Sequence, residues 1–70
     1  MNTNVLRAQL ALHSKKISDL SKAMGISKSA LYRRMNGTAS FNREEIQSII
    51  QFLNLPNEMA ISIFFADEVS

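Results

Sequence analysis

Within "AMGISKSALYRRMNG", residues 23–37, Lys28, Ser29, Tyr32 and Arg33 stand close together, and the stretch holds both glycines of the chain. On a helix turning about 100° per residue, these four side chains spread over one side while Ala30, Leu31 and Met35 occupy the other. Two cations, a hydroxyl and an aromatic on one solvent-facing surface suit an anionic partner rich in hydrogen-bond acceptors. The edges of bases in the DNA major groove are such a partner: Arg and Lys bond guanine O6 and N7, and apolar atoms meet the thymine methyl. Tyr32 also fits a second reading, as a surface aromatic covering the helix before it. Arg34 falls near the inward stripe, so its stem packs while its guanidinium reaches outward, which suits packing or a phosphate better than a base.

The charge distribution points the same way. Residues 1–43 hold all eight basic groups against one acid, Asp19, a net of +7, and residues 44–70 hold five acids and no Lys or Arg, a net of −5. A chain with a formal charge of only +2 thus has one strongly cationic part, as expected of a protein that meets a polyanion or of one whose two ends attract each other between molecules. Lys22 reads as a solvated helix residue, His13 as a polar residue at a helix end, and Arg7 sits where its helix can graze a nucleic-acid backbone.

Other chemistries find little support. There is no cysteine and only one histidine, so neither disulfide nor thiolate metal site is available. No Ser/His/Asp or paired-carboxylate arrangement sits on convergent elements, and no Gly-rich phosphate loop exists, so the expectation is a non-enzyme without metal, cofactor or small-molecule ligand. The most apolar run, "MAISIFFA" at residues 59–66, is far short of the ~20 residues that span a bilayer. The start "MNTNVLRAQLALHSKK" lacks the features of a signal peptide. A soluble cytoplasmic protein with no membrane partner is expected.

The elements that position these residues read as five short helices. Asn2, Thr3 or Asn4 can cap the first, whose broad apolar face is Val5, Leu6, Leu10 and Leu12 with Ala8 and Ala11, and which fades near His13–Ser14. The second runs from about Ile17 to Met24 and stops at Gly25. Ser27 caps the third, Lys28 to about Asn36, which Gly37 closes. Asn42 and Glu45 form a capping box for the fourth, with Phe41 and Ile46 as a hydrophobic staple, and Ile46, Ile49, Ile50 and Leu53 as its apolar stripe. Leu55–Pro56 ends it, and Pro56 leads into a fifth helix, about Asn57 to Ala66. Asp67 to Ser70 reads as a frayed tail. The expectation is an all-α fold, with residues 1–70 forming one compact domain.

Helix, tight turn and helix over residues 17–37 form a helix-turn-helix pattern. The stretch "LSKAMGISKSALYRRMNG" resembles the helix-turn-helix of phage Cro and CI-type repressors, the lambda-repressor-like superfamily, through Leu20, Ser21, Gly25, Ile26, Ser27 and Leu31 at matching spacing. The resemblance implies a five-helix DNA-binding domain acting in the cytoplasm of a bacterial host, nucleoid-associated when bound. It implies a phage- or prophage-type, Cro-like transcriptional repressor, short enough to lack a second domain, that inserts the third helix into the major groove of an operator. Lys28, Ser29, Tyr32 and Arg33 become base readers. Lys15, Lys16, Ser18, Ser27, Arg34, Asn36, Thr38 and Arg43 become phosphate ligands. Three departures from the family pattern stand out. Ser21 replaces a usual Ala and needs a partner for its hydroxyl, Lys16–Ile17 replaces a polar Thr-Gln opening, and Arg34 takes a usually apolar position that Met35 covers.

Met59, Ile61, Ile63, Phe64 and Phe65 exceed what one helix face needs for a core. Met59, Ile61, Phe64 and Phe65 are therefore candidates for a homodimer interface, which suits a palindromic double-stranded operator read as two half-sites; a wholly intramolecular core is the alternative. Two other functions fit the same residues: an antitoxin- or excisionase-like accessory protein, or a protein-interaction module that uses the apolar C-terminal helix.

Overall fold

The computed structural model describes residues 1–65 as five α-helices: α1 Thr3–Leu12, α2 Ile17–Met24, α3 Lys28–Met35, α4 Arg43–Leu53 and α5 Asn57–Phe64. The described residues form no strand, as the helical spacing predicts. Three helices begin on a side-chain cap. Asn2 Oδ1 accepts from the Val5 N–H at 3.2 Å, and Ser27 Oγ accepts from the Ala30 N–H at 3.0 Å. At the start of α4, Asn42 Oδ1 accepts from the Glu45 N–H at 2.8 Å while Glu45 Oε1 accepts from the Asn42 N–H at 3.0 Å, so two otherwise orphaned donors are satisfied reciprocally. Phe41 and Ile46 are half-buried around that start. A lysine side chain has no acceptor, so Lys16 cannot cap α2. The Asp19 carboxylate instead accepts from the Lys16 N–H at 2.8 Å.

Helices α1 to α4 all end at a left-handed residue: Ser14 (φ 57°), Gly25 (72°), Gly37 (85°) and Asn54 (50°). Each such turn returns two N–H groups to the last carbonyls, as where Gly25 donates to Lys22 and Ile26 to Ser21. The two glycine stops and the end of α1 near His13–Ser14 follow the sequence reading; the left-handed backbone at Ser14 and the stop at Asn54 do not. The fourth helix was expected to run to Leu55–Pro56, but Asn54 ends it at Leu53 before the proline restriction applies, and Leu55 turns back into the core at 6% exposure. Helix α3 stops one residue before the expected Asn36, which serves as its cap. Helix α5 stops at Phe64, short of the expected Ala66; Phe65 follows it, donating to the Ile61 carbonyl at 2.9 Å. Ala66 and the expected tail, residues 67–70, lie outside the described residues.

All five helices feed one core, whose fully buried side chains are Leu6, Leu20, Leu31, Ile49, Leu53 and Ile63. Helix α2 packs on α3 and α4, and α1 packs on α5. The broad apolar face expected of α1 is narrower in the structure. Leu6 and Leu10, one turn apart, are buried, whereas Ala8 and Ala11 are exposed and Leu12 is 72% exposed. Leu12 lies about 200° round the helix from Leu10, so no packing stripe can hold both. Ser21 is buried at 4%, and its hydroxyl donates to the Ser18 carbonyl at 2.9 Å, the partner that a polar group at this position requires. Two bonds tie the start of the chain to distant elements: the Asn2 N–H donates to the Ile63 carbonyl at 2.6 Å, and Thr3 Oγ1 donates to the Met35 carbonyl at 3.0 Å.

Candidate nucleic-acid interface

Gly25 turns the chain out of α2, Ile26 is half-buried in the turn, and Ser27 restarts it as α3. Leu31 and Met35 anchor α3 in the core, at 0% and 5% exposure. That anchoring leaves Lys28, Ser29, Tyr32 and Arg33 all exposed, with Tyr32 at 41%. The structure thus brings the four sequence-derived base-reading candidates to one outward surface. Among the described residues, Lys28 and Arg33 take part in no ion pair, so their cationic groups face solvent without a local counter-charge.

The flanks are more varied. Lys15 and Lys16 are exposed at the entrance to α2, Ser27 is exposed at the start of α3, and Asn36, Thr38 and Arg43 are exposed beyond its end. Ser18 is half-buried. Lys15 Nζ lies 5.4 Å from the centre of the Phe52 ring on α4, a cation–π contact that orders a long side chain at the joint of α1 and α2. Arg7 and Lys15 line a small hollow of about 140 Å³ at this joint. Composition left the role of Arg7 open, and the fold places it with Lys15 on the lining of one hollow.

Arg34 stands apart from the other cations. It is half-buried, its Nε donates to Glu45 Oε1 at 3.0 Å, and its Nη1 donates to the Ala30 carbonyl at 3.1 Å. Of the two roles the sequence left to it, packing is the one these contacts serve directly. Glu45 was legible only as the capping residue of α4, and Thr3 only as a cap for α1. Their contacts with α3 span 11 and 32 residues of chain, and no local pattern announces them.

The apolar surplus at the C-terminal helix divides in the structure. Ile63 is fully buried. Met59 and Phe64 are half-buried against the core, and the Phe64 ring meets Phe41 edge-on at 6.0 Å. Only Ile61 and Phe65, at 58% and 52% exposure, face solvent as the expected surplus required. Among the described residues, no cluster of metal-ligating side chains forms, and no helix is long and apolar enough to cross a membrane.

Two short helices joined by a glycine turn, the second anchored by one stripe and presenting cations, a hydroxyl and an aromatic outward, define a helix-turn-helix DNA-binding domain. The Cro/C1-type HTH DNA-binding domain family matches residues 5–56, and the chain belongs to that family. The matched segment runs from the first turn of α1 to the residue before α5. Sequence-specific DNA binding is accordingly its biochemical class, and the fold is that of a regulator and not of an enzyme. No curated protein and no solved structure matches the chain.

Proposed function

We propose that residues 1–70 act as one DNA-binding unit, a phage- or prophage-type Cro-like repressor that occupies an operator and blocks transcription in the cytoplasm of a bacterial host. Helix α3 enters the major groove, where Lys28, Ser29, Tyr32 and Arg33 read base edges. Lys15, Lys16, Ser18, Ser27, Asn36, Thr38 and Arg43 grip phosphates on either side, and Arg7 joins them beside Lys15. Arg34 takes its packing role instead. The observation that carries the reading is the clean division of α3, with Leu31 and Met35 in the core and all four readers outside.

Two copies bind a palindromic site, with Ile61 and Phe65 of each at the dimer contact and Met59 and Phe64 packed behind them. The same exposed pair favours a second reading, an accessory protein of antitoxin or excisionase type whose last helix grips another protein. Selection of bound duplexes from a random pool separates the two. A palindrome with half-sites about one helical turn apart is expected of the repressor; a single unsymmetrical site, or none, counts against it.

A further inference from the structure

Helix α3 is eight residues long and buries only Leu31 and Met35, which lie one turn apart on a single stripe. One stripe holds a helix down but constrains its roll weakly, and roll swings Tyr32 and Arg33, which point away from the core. The contact that lies off the stripe is Arg34, about 60° round the helix from Leu31. Its planar guanidinium is fixed at two atoms, with Nε on Glu45 Oε1 at 3.0 Å and Nη1 on the Ala30 carbonyl at 3.1 Å. The two side chains are 21% and 12% exposed, so the pair is shielded from much of the solvent screening that weakens surface pairs. Glu45 cannot follow a rolling helix, because the same Oε1 accepts from the Asn42 N–H and the Glu45 N–H is held by Asn42 Oδ1. The capping box of α4 is thus a fixed post against which α3 is set. Thr3 Oγ1 holds the Met35 carbonyl as a further restraint.

We propose that Arg34 and Glu45 form a latch that sets the roll of α3, making them positioning residues for base reading. The proposal rests on α3 being the reading helix. It separates Arg34 from its neighbour Arg33: one cation is aimed by the other's attachment. A latch of this kind governs discrimination between sequences, whereas a phosphate contact strengthens binding to every sequence alike.

The experiment uses the full chain, a duplex that the unaltered chain selects from a random pool, and a shuffled duplex of the same length and composition. Arg34→Met, Glu45→Gln and the double variant are titrated with both duplexes over a range of salt, after circular dichroism has established that each is folded. Glu45→Gln keeps an acceptor oxygen for Asn42, so the start of α4 survives in that variant. The expected result is a fall of about tenfold in the selected-to-shuffled affinity ratio for Arg34→Met, the size of one misplaced base contact. Glu45→Gln lowers the ratio several-fold, and the double variant falls no further than Arg34→Met, because both remove one unit. Arg34→Lys, which keeps the charge without the planar fork, leaves the ratio low. The salt slope on shuffled duplex stays unchanged in Arg34→Met. An unchanged ratio in that variant, or a slope reduced by about one phosphate contact, overturns the latch. If the unaltered chain selects no sequence at all, base reading by α3 fails first and the latch with it.

Discussion

Helices α3 and α4 sit side by side in the chain and are built on opposite terms. Helix α4 has eleven residues, a reciprocal capping box, a half-buried aromatic before its start and buried Ile49 and Leu53 along one stripe. Most of what makes it a helix lies within its own segment. Helix α3 has eight residues, one hydroxyl cap and two buried side chains; Ala30 and Arg34 are half-buried, and Lys28, Ser29, Tyr32 and Arg33 face solvent. Its placement is supplied from outside: by the core under Leu31 and Met35, by Thr3 on its last carbonyl and by Glu45 on Arg34. A helix that leaves half of its side chains exposed has few left to lock itself, so neighbouring elements hold it.

That contrast can be broken at several points. Leu31→Ala removes the deepest anchor of α3 and should destabilise the protein by about 2–5 kcal/mol, more than any change on the outer side of the same helix, as measured by urea unfolding. Arg33→Ala should leave the unfolding midpoint unmoved yet cost about 1–3 kcal/mol in binding the selected duplex, with relaxed preference at one base pair; unchanged affinity would remove Arg33 from the readers. Asn42→Ala tests the self-sufficiency of α4 and should cost about 1 kcal/mol of stability through the lost cap. The smallest effect is expected at the other end of α4. Asn54→Gly relieves a left-handed side-chain-bearing residue while loosening the unfolded chain, for a net gain of no more than about 0.5 kcal/mol in the same unfolding measurement.

Legibility from sequence followed the same division. The start of α4 and both glycine stops were readable because cap and staple signals act over three or four residues. The left-handed backbone of Ser14 and Asn54 was not, since neither residue type demands positive φ; at Asn54 it accompanies the turn of Leu55 into the core. The outward placement of Lys28, Ser29, Tyr32 and Arg33 was readable from the 100° turn of a helix once Leu31 and Met35 were taken as buried. The breadth of the α1 face was overestimated because Leu12 is apolar in type but lies on the far side from Leu10. At the last helix, composition signalled a surplus of apolar side chains but could not say which of them the core takes: Ile63 goes in, while Ile61 and Phe65 stay out.

By itself the sequence determined five helices, the turn at Gly25, the cationic outer face of α3 and the separation of positive from negative charge along the chain. These follow from local rules of capping, turning and periodicity, each acting within a few residues. Tertiary structure alone decided which cation stays exposed and which is tied down. Arg33 and Arg34 are adjacent and alike in type, and nothing local distinguishes their tasks beyond a 100° rotation. Folding brings Glu45, eleven residues on, to the side of α3 where only Arg34 can reach it. An ion pair between helices depends on how their axes are set against each other, and that is fixed by the shared core and not by either segment.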